Sequence, residues 1–136
     1  MPASLRFLGG LLVLALLAAI AGVYVSYRQD ISQGRITAEQ ITGGDVDAGK
    51  LAMVRYGCGG CHSVSALAGP QGAVGPSLAK FAGRATIAGV LPNDPDHLRL
   101  WLLHPQRVVP GNAMPEQPMR ERDARDLSAY LYTLRR

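Results

Sequence analysis

The chain has 136 residues, a formal net charge of +4 and only two cysteines. The mildly basic balance, with no Lys/Arg run interleaved with aromatics, argues against nucleic acid as a partner. Two cysteines three positions apart cannot staple distant segments as a secreted disulfide scaffold does.

The first element is an uncharged, Leu/Ala/Ile/Val-rich run from Phe7 to Tyr27. As a helix it would span roughly 30 Å, the thickness of a bilayer's hydrocarbon core. Arg6, Phe7 to Ala18 and Ala19-Ile20-Ala21 also fit a cleaved signal peptide. The apolar character continues past Ala21, however, and Tyr24 and Tyr27 suit a membrane–water interface before Arg28 and Asp30 end the run. Residues 1–28 are therefore read as a membrane anchor, with the signal peptide as the alternative. Residues 29–44, polar and Gly-containing with no sustained apolar period, read as a flexible tether.

A folded domain is expected over residues 45–136. At no more than about 100 residues it is short of apolar core, a deficit that a large buried prosthetic group would relieve. Asp45 or Asp47 can N-cap a first helix carrying Lys50, Leu51, Met53, Val54 and Tyr56. Ser63 to Gly89 is Gly/Ala/Pro/Ser-rich and reads as loops, with turns at Gly69-Pro70 and Gly75-Pro76 and a short helix near Ser77 to Phe81. Asp94-Pro95-Asp96 opens a second helix that stops before Pro105. Gln106 to Pro118 is a proline-rich loop. Glu121 to Leu134 forms the last helix, with Leu127, Tyr130, Leu131 and Leu134 at helical spacing. No strand-like alternation is present, so the class is all-α: three main helices, preceded by a single transmembrane helix.

The chemistry lies in Cys58-Gly59-Gly60-Cys61-His62. Cys-x-x-Cys-His is a c-type haem attachment signature. Two thiols at this spacing reach the two vinyl positions on one side of a porphyrin, and the adjacent imidazole then lies under the iron. A thioredoxin-like redox pair would need a neighbouring βαβ pattern, which is missing. A structural zinc site would need four ligands from Cys58, Cys61 and one or two of His62, His97 and His104.

A thioether is the expected sixth ligand, since it stabilises ferrous iron. Of the four methionines, Met53 falls on the apolar face of the first helix, where packing is its expected role. Met114, in Pro110-Gly111-Asn112-Ala113-Met114-Pro115, sits in a loop stiffened by proline on both sides. It is preferred to Met119. Trp101 is expected in the core or against the haem edge, donating to a propionate. Arg84 is read as a propionate partner or a solvated cation. His97 and His104 are expected at the surface. Lys80, Arg84, Arg107 and Arg120 would be ordinary surface charge or a ring that steers redox partners.

From residue 45 to 136 the chain resembles class I cytochromes c. The likeness rests on the attachment motif, Gly75-Pro76-Ser77-Leu78, Pro110 to Pro115 around Met114, and Leu127-Ser128-Ala129-Tyr130-Leu131. It implies that the Pro76 carbonyl accepts from His62, and that the first and last helices cross with Gly49 and Met53 meeting Leu127 and Tyr130. Met53 stands where the family usually has an aromatic. A narrower likeness lies in Arg84 to Asn93, Leu98 to Trp101 and His104-Pro105-Gln106. These segments are similar to the cytochrome c domain fused to subunit II of some haem–copper oxidases, although no copper-binding domain precedes the module in this sequence.

The resemblance implies one covalent haem c and an electron carrier rather than a catalyst, held on the periplasmic side of the inner membrane by a single span. It implies redox partner proteins, foremost a terminal oxidase. The alternatives are an electron-accepting cytochrome subunit of a periplasmic dehydrogenase and a haem-based gas sensor.

Overall fold

The computed structural model describes residues 2–64, 69 and 71–135. The turn expected at Gly69-Pro70 includes Pro70, which lies outside the described residues. The chain divides into two units, Met1–Gln33 and Gly34–Arg136.

The described part of the first unit is helical from Ala3 onward, within α1 (Ala3–Thr42), and every one of its side chains is exposed. By length and composition α1 can cross a membrane.

The second unit begins earlier than expected. Instead of an irregular tether over 29–44, the helix runs on to Thr42. Its buried residues here are Gly34, Ala38 and Thr42, one every fourth position. A stripe of small residues at this spacing lies on one helix face but raises no hydropathy signal, which is why the sequence read as linker. Arg35 donates to both carboxylate oxygens of Asp47 at 2.9 Å and lies 3.5 Å from Glu39. Gly43, at φ +65°, closes the helix with its N–H on the Glu39 carbonyl at 2.8 Å.

Helix α2 (Val46–Arg55) starts where Asp45 caps it, its carboxylate accepting from the Ala48 N–H at 2.7 Å. Its main partner is the last helix, α5 (Glu121–Thr133). The two meet at Gly49, where a Cβ would lie 1.9 Å from the Asp126 carbonyl oxygen and 2.9 Å from Tyr130 Cβ. Backbone can approach backbone this closely only with no side chain between. Met53, 1% exposed, packs into the same core as Leu127, Tyr130 and Leu131, as expected. Burial on α5 is wider than one stripe: every residue from Asp126 to Tyr132 is buried. The buried Asp126 carboxylate accepts from the Asp45 N–H at 2.9 Å.

Between these helices stand α3 (Pro95–Leu103) and a short α4 (Pro105–Val108). Asp94 caps α3, accepting from the His97 N–H at 2.9 Å, and Pro95 occupies its first position. Pro105 ends α3, as expected, but also opens α4 within the stretch read as loop, because a proline that cannot continue one helix is well suited to begin the next. A 3₁₀ turn at Phe81–Gly83 replaces the short helix expected over 77–81. Two strands, β1 (Thr86–Ile87) and β2 (Leu91–Pro92), pair antiparallel, and Ala88 and Gly89 turn between them at φ +51° and +75°. Two-residue strands are too short for alternation to show in sequence. They leave the class unchanged: the fold is mostly helical.

Candidate haem-binding site

The attachment segment is shaped by its glycines. Gly57 adopts φ +66° after α2, and Cys58–Gly60 then forms a 3₁₀ turn. The His62 N–H donates to the Cys58 carbonyl at 2.9 Å, so the two cysteines and the histidine share one tight coil. Cys58 is half-buried and Cys61 exposed. Burial pushes the Cys58 thiol above its ordinary pKa.

His62 is held from behind. Its Nδ1 lies 2.7 Å from the Pro76 carbonyl oxygen. A carbonyl can only accept, so Nδ1 donates and Nε2 is the ring nitrogen left free of the protein backbone to face a ligand. The loop supplying that carbonyl is pinned on both sides of Pro76: Gly75 N–H to the Cys61 carbonyl at 2.8 Å, and Leu78 N–H to the Ser63 carbonyl at 2.9 Å. Gly75 lets the loop lie flat on the imidazole, since a Cβ there would stand 2.4 Å from Cε1 and 2.6 Å from Nδ1. Gly72 performs the same service against the attachment turn, where a Cβ would stand 2.2 Å from the Gly60 oxygen. The sequence reading gave neither glycine this task, because a glycine's spatial neighbours are invisible along the chain.

Above this segment opens a cavity of about 330 Å³. Cys58, Cys61, His62, Pro76, Arg84, Trp101 and Met114 all line it, so every residue expected at the site is brought to one place. Leu98, Leu102, Leu127, Leu131, Ile87 and Phe81 supply much of the remaining, mainly apolar wall. Met119 and the buried Met53 also reach it. Trp101 is half-buried against the core. Arg84 spends donors on backbone, from Nη2 to the Ser77 carbonyl and to the Ala79 carbonyl at 3.1 Å, with its guanidinium 5.7 Å from the Phe81 ring centre. His97 and His104 are half-exposed; their Nδ1 atoms lie 2.7 Å from Asp94 and 3.6 Å from Glu116. Among the described residues no three His, Cys, Asp or Glu side chains cluster as a metal site, which leaves the zinc alternative without a ligand set.

Sequence reasoning missed two amide systems. Asn93 donates to the Phe81 and Arg84 carbonyls at 3.0 and 2.9 Å and accepts from the Tyr132 hydroxyl at 3.0 Å, tying the cavity wall to α5. Gln106 and Asn112 bind around Met114. The sequence reading named these residues as parts of loops and family segments and gave no role to their side chains.

The donor set fits an iron porphyrin: two cysteine sulfurs beside a mainly apolar cavity, an imidazole whose Nδ1 is tied to a carbonyl, and a thioether in the wall. Comparison with known proteins agrees. The family profile described as "Cytochrome c" matches residues 46–135. Cytochrome c oxidase subunit 2 of Alkalihalophilus pseudofirmus is 39% identical over 88 residues, covering 64% of this chain and 25% of that protein. Cytochrome c oxidase subunit 2 of Bacillus sp. strain PS3 is 40% identical over 65 residues, covering 46% of this chain and 18% of its own length. The chain thus spans a quarter or less of these curated relatives.

Proposed function

Because this chain belongs to the cytochrome c family, we propose that it is a membrane-tethered mono-haem carrier passing single electrons to, or within, a haem–copper terminal oxidase. The observation that carries this reading is the shared cavity. Cys58, Cys61 and His62 border it, His62 is fixed by the Pro76 carbonyl, and Met114 lines the same space. The bound group would supply a one-electron ferric/ferrous couple. Cys58 and Cys61 would hold it through thioethers, each thiol adding its sulfur and hydrogen across one vinyl group. His62 Nε2 and the Met114 sulfur would ligate the iron, the thioether favouring the ferrous state. Leu98, Leu127 and Leu131 line the cavity and would keep water from the bound group, and Trp101 stands at its wall. Arg84 and Trp101 remain the candidates to meet the propionates.

The oxidase assignment is supported by the two relatives, each named as an oxidase subunit. The anchor is supported by the apolar residues of α1, and it would hold the haem domain at the periplasmic face of the inner membrane. Turnover of a substrate by this chain alone is not part of the reading.

The test is purification from cells that mature c-type centres, by gentle detergent extraction. A pigment that stays with the protein in acidified acetone is expected, together with co-purifying oxidase subunits. A colourless protein overturns the haem reading. A co-purifying dehydrogenase overturns the oxidase reading in favour of a dehydrogenase subunit. Carbon monoxide binding to the reduced protein at neutral pH points instead to a gas sensor. Met114→Ala should abolish the weak red-edge ferric absorption of a sulfur–iron bond, and survival of that band removes Met114 as ligand.

A further inference from the structure

The loop carrying Met114 has little backbone structure of its own. Pro110 and Pro115 contribute no N–H. What holds residue 114 is a pair of side-chain amides. Gln106 Nε2 donates to the Met114 carbonyl at 2.7 Å and to the Asn112 carbonyl at 3.0 Å, while its Oε1 accepts from the Gly111 N–H at 3.0 Å. Asn112 Oδ1 accepts from the Met114 N–H at 2.7 Å, and its Nδ2 donates to the Pro105 and Val109 carbonyls at 3.0 and 2.6 Å. Both backbone polar groups of Met114 are therefore bound by side chains: Gln106 belongs to α4 itself, and Asn112 binds carbonyls at the two ends of that helix.

We propose that Gln106 and Asn112 are positioning residues that clamp Met114, and thereby set how readily the sixth position of the iron yields to an outside ligand. The inference rests on Met114 being that axial ligand. The sulfur can leave the iron by side-chain rotation or by displacement of the Met114 backbone; the amides oppose the second, since moving that backbone breaks the bonds to Gln106 and Asn112 together. The amides raise the cost of opening without touching the iron. They keep the site an electron-transfer centre and not a ligand-binding one. Gln106 is the stronger half, since it ties Met114 and both residues that shape the approach to it. Neither amide side chain belongs to the buried core between α2 and α5, so loosening the clamp leaves that packing in place.

The test uses the holoprotein, with imidazole titrated against the ferric form and carbon monoxide against the ferrous form, beside urea unfolding of each variant. Gln106→Leu keeps the side chain's size and removes every amide bond; it should raise the apparent imidazole affinity about tenfold or more, in line with other outer-shell supports of metal ligands. Asn112→Asp keeps the acceptor for the Met114 N–H and loses the donors, so a smaller rise in the same direction is expected. Leu103→Ala, a core truncation away from the cavity wall, is the stability control and should leave imidazole affinity unchanged. Unchanged affinity in Gln106→Leu overturns the clamp. An equal rise in Leu103→Ala overturns it too, because the effect would then be general loosening. If Gln106→Leu yields no holoprotein, Asn112→Asp decides by the same reading. Met114→Ala separates the two levels: if it binds imidazole no better than the parent, Met114 is not the ligand and the clamp falls with it. If it binds freely while both amide variants match the parent, only the clamp falls.

Discussion

Gly49→Ala sets two known effects against each other. In an isolated helix the change favours the folded form by about 1 kcal/mol, because alanine has less backbone entropy to lose. Here the new methyl would lie 1.9 Å from the Asp126 carbonyl oxygen, 2.5 Å from its carbon and 2.9 Å from Tyr130 Cβ. An ordinary contact needs about 3.5 Å. The obstacle is the backbone of α5, which cannot rotate aside as a side chain could. Helix α2 must withdraw by more than about 1 Å, loosening Met53 and Ala52 from Leu127 and Tyr130. Overpacking of this kind costs typically 1–3 kcal/mol and sometimes more. With backbone as the obstacle the cost falls at the upper end of that range, so after the propensity gain a net loss of about 2 kcal/mol is expected. For a domain of this size that lowers the melting temperature by roughly 8–16 °C. Near-ultraviolet circular dichroism, reporting the packing around Trp101, would follow the unfolding. An unchanged or raised melting temperature would refute the crossing at Gly49.

Two further perturbations test the site and the pH response. Gly75→Ala drives a methyl into the His62 ring, 2.4 Å from Cε1, so the imidazole must swing off the Pro76 carbonyl. The holoprotein should accumulate at a visibly lower haem-to-protein ratio, and a parental ratio and spectrum would refute the close stacking. Burial, with the nearby Asp94 carboxylate adding to it, pushes the Tyr132 hydroxyl up to about 12, whereas an unfolded tyrosine titrates near 10. Below about pH 10 the phenol is protonated in both states and its contribution is fully present. Between about pH 10 and 12 only the unfolded chain releases the proton, so stability falls. Urea midpoints at pH 9 and 11 should separate widely in the parent and less in Tyr132→Phe, and equal separations would refute the buried phenol.

Much of this protein was legible in short stretches. Cys58, Cys61 and His62 are close in sequence because their chemistry needs them close in space, so the cofactor could be read from five residues. Asp45 and Asp94 announced their helices because a cap acts across three residues. The periodicity of α5 and the apolar run of α1 are likewise local patterns. What stayed hidden has one physical cause: its partners lie far along the chain. Gly44, Gly72 and Gly75 look like any other glycine until α5 or the attachment turn is laid against them, and Gly49 was placed at its crossing only by the family resemblance. The helix through residues 34–42 looked like linker because the face it buries is made of Gly34, Ala38 and Thr42, residues too small to mark a hydrophobic period. Gln106, Asn112 and Asn93 were polar loop residues in sequence, and only the folded chain decides which carbonyls an amide can reach. The chemistry to be done was thus written locally, and the grip on His62 and Met114 was decided by tertiary contact.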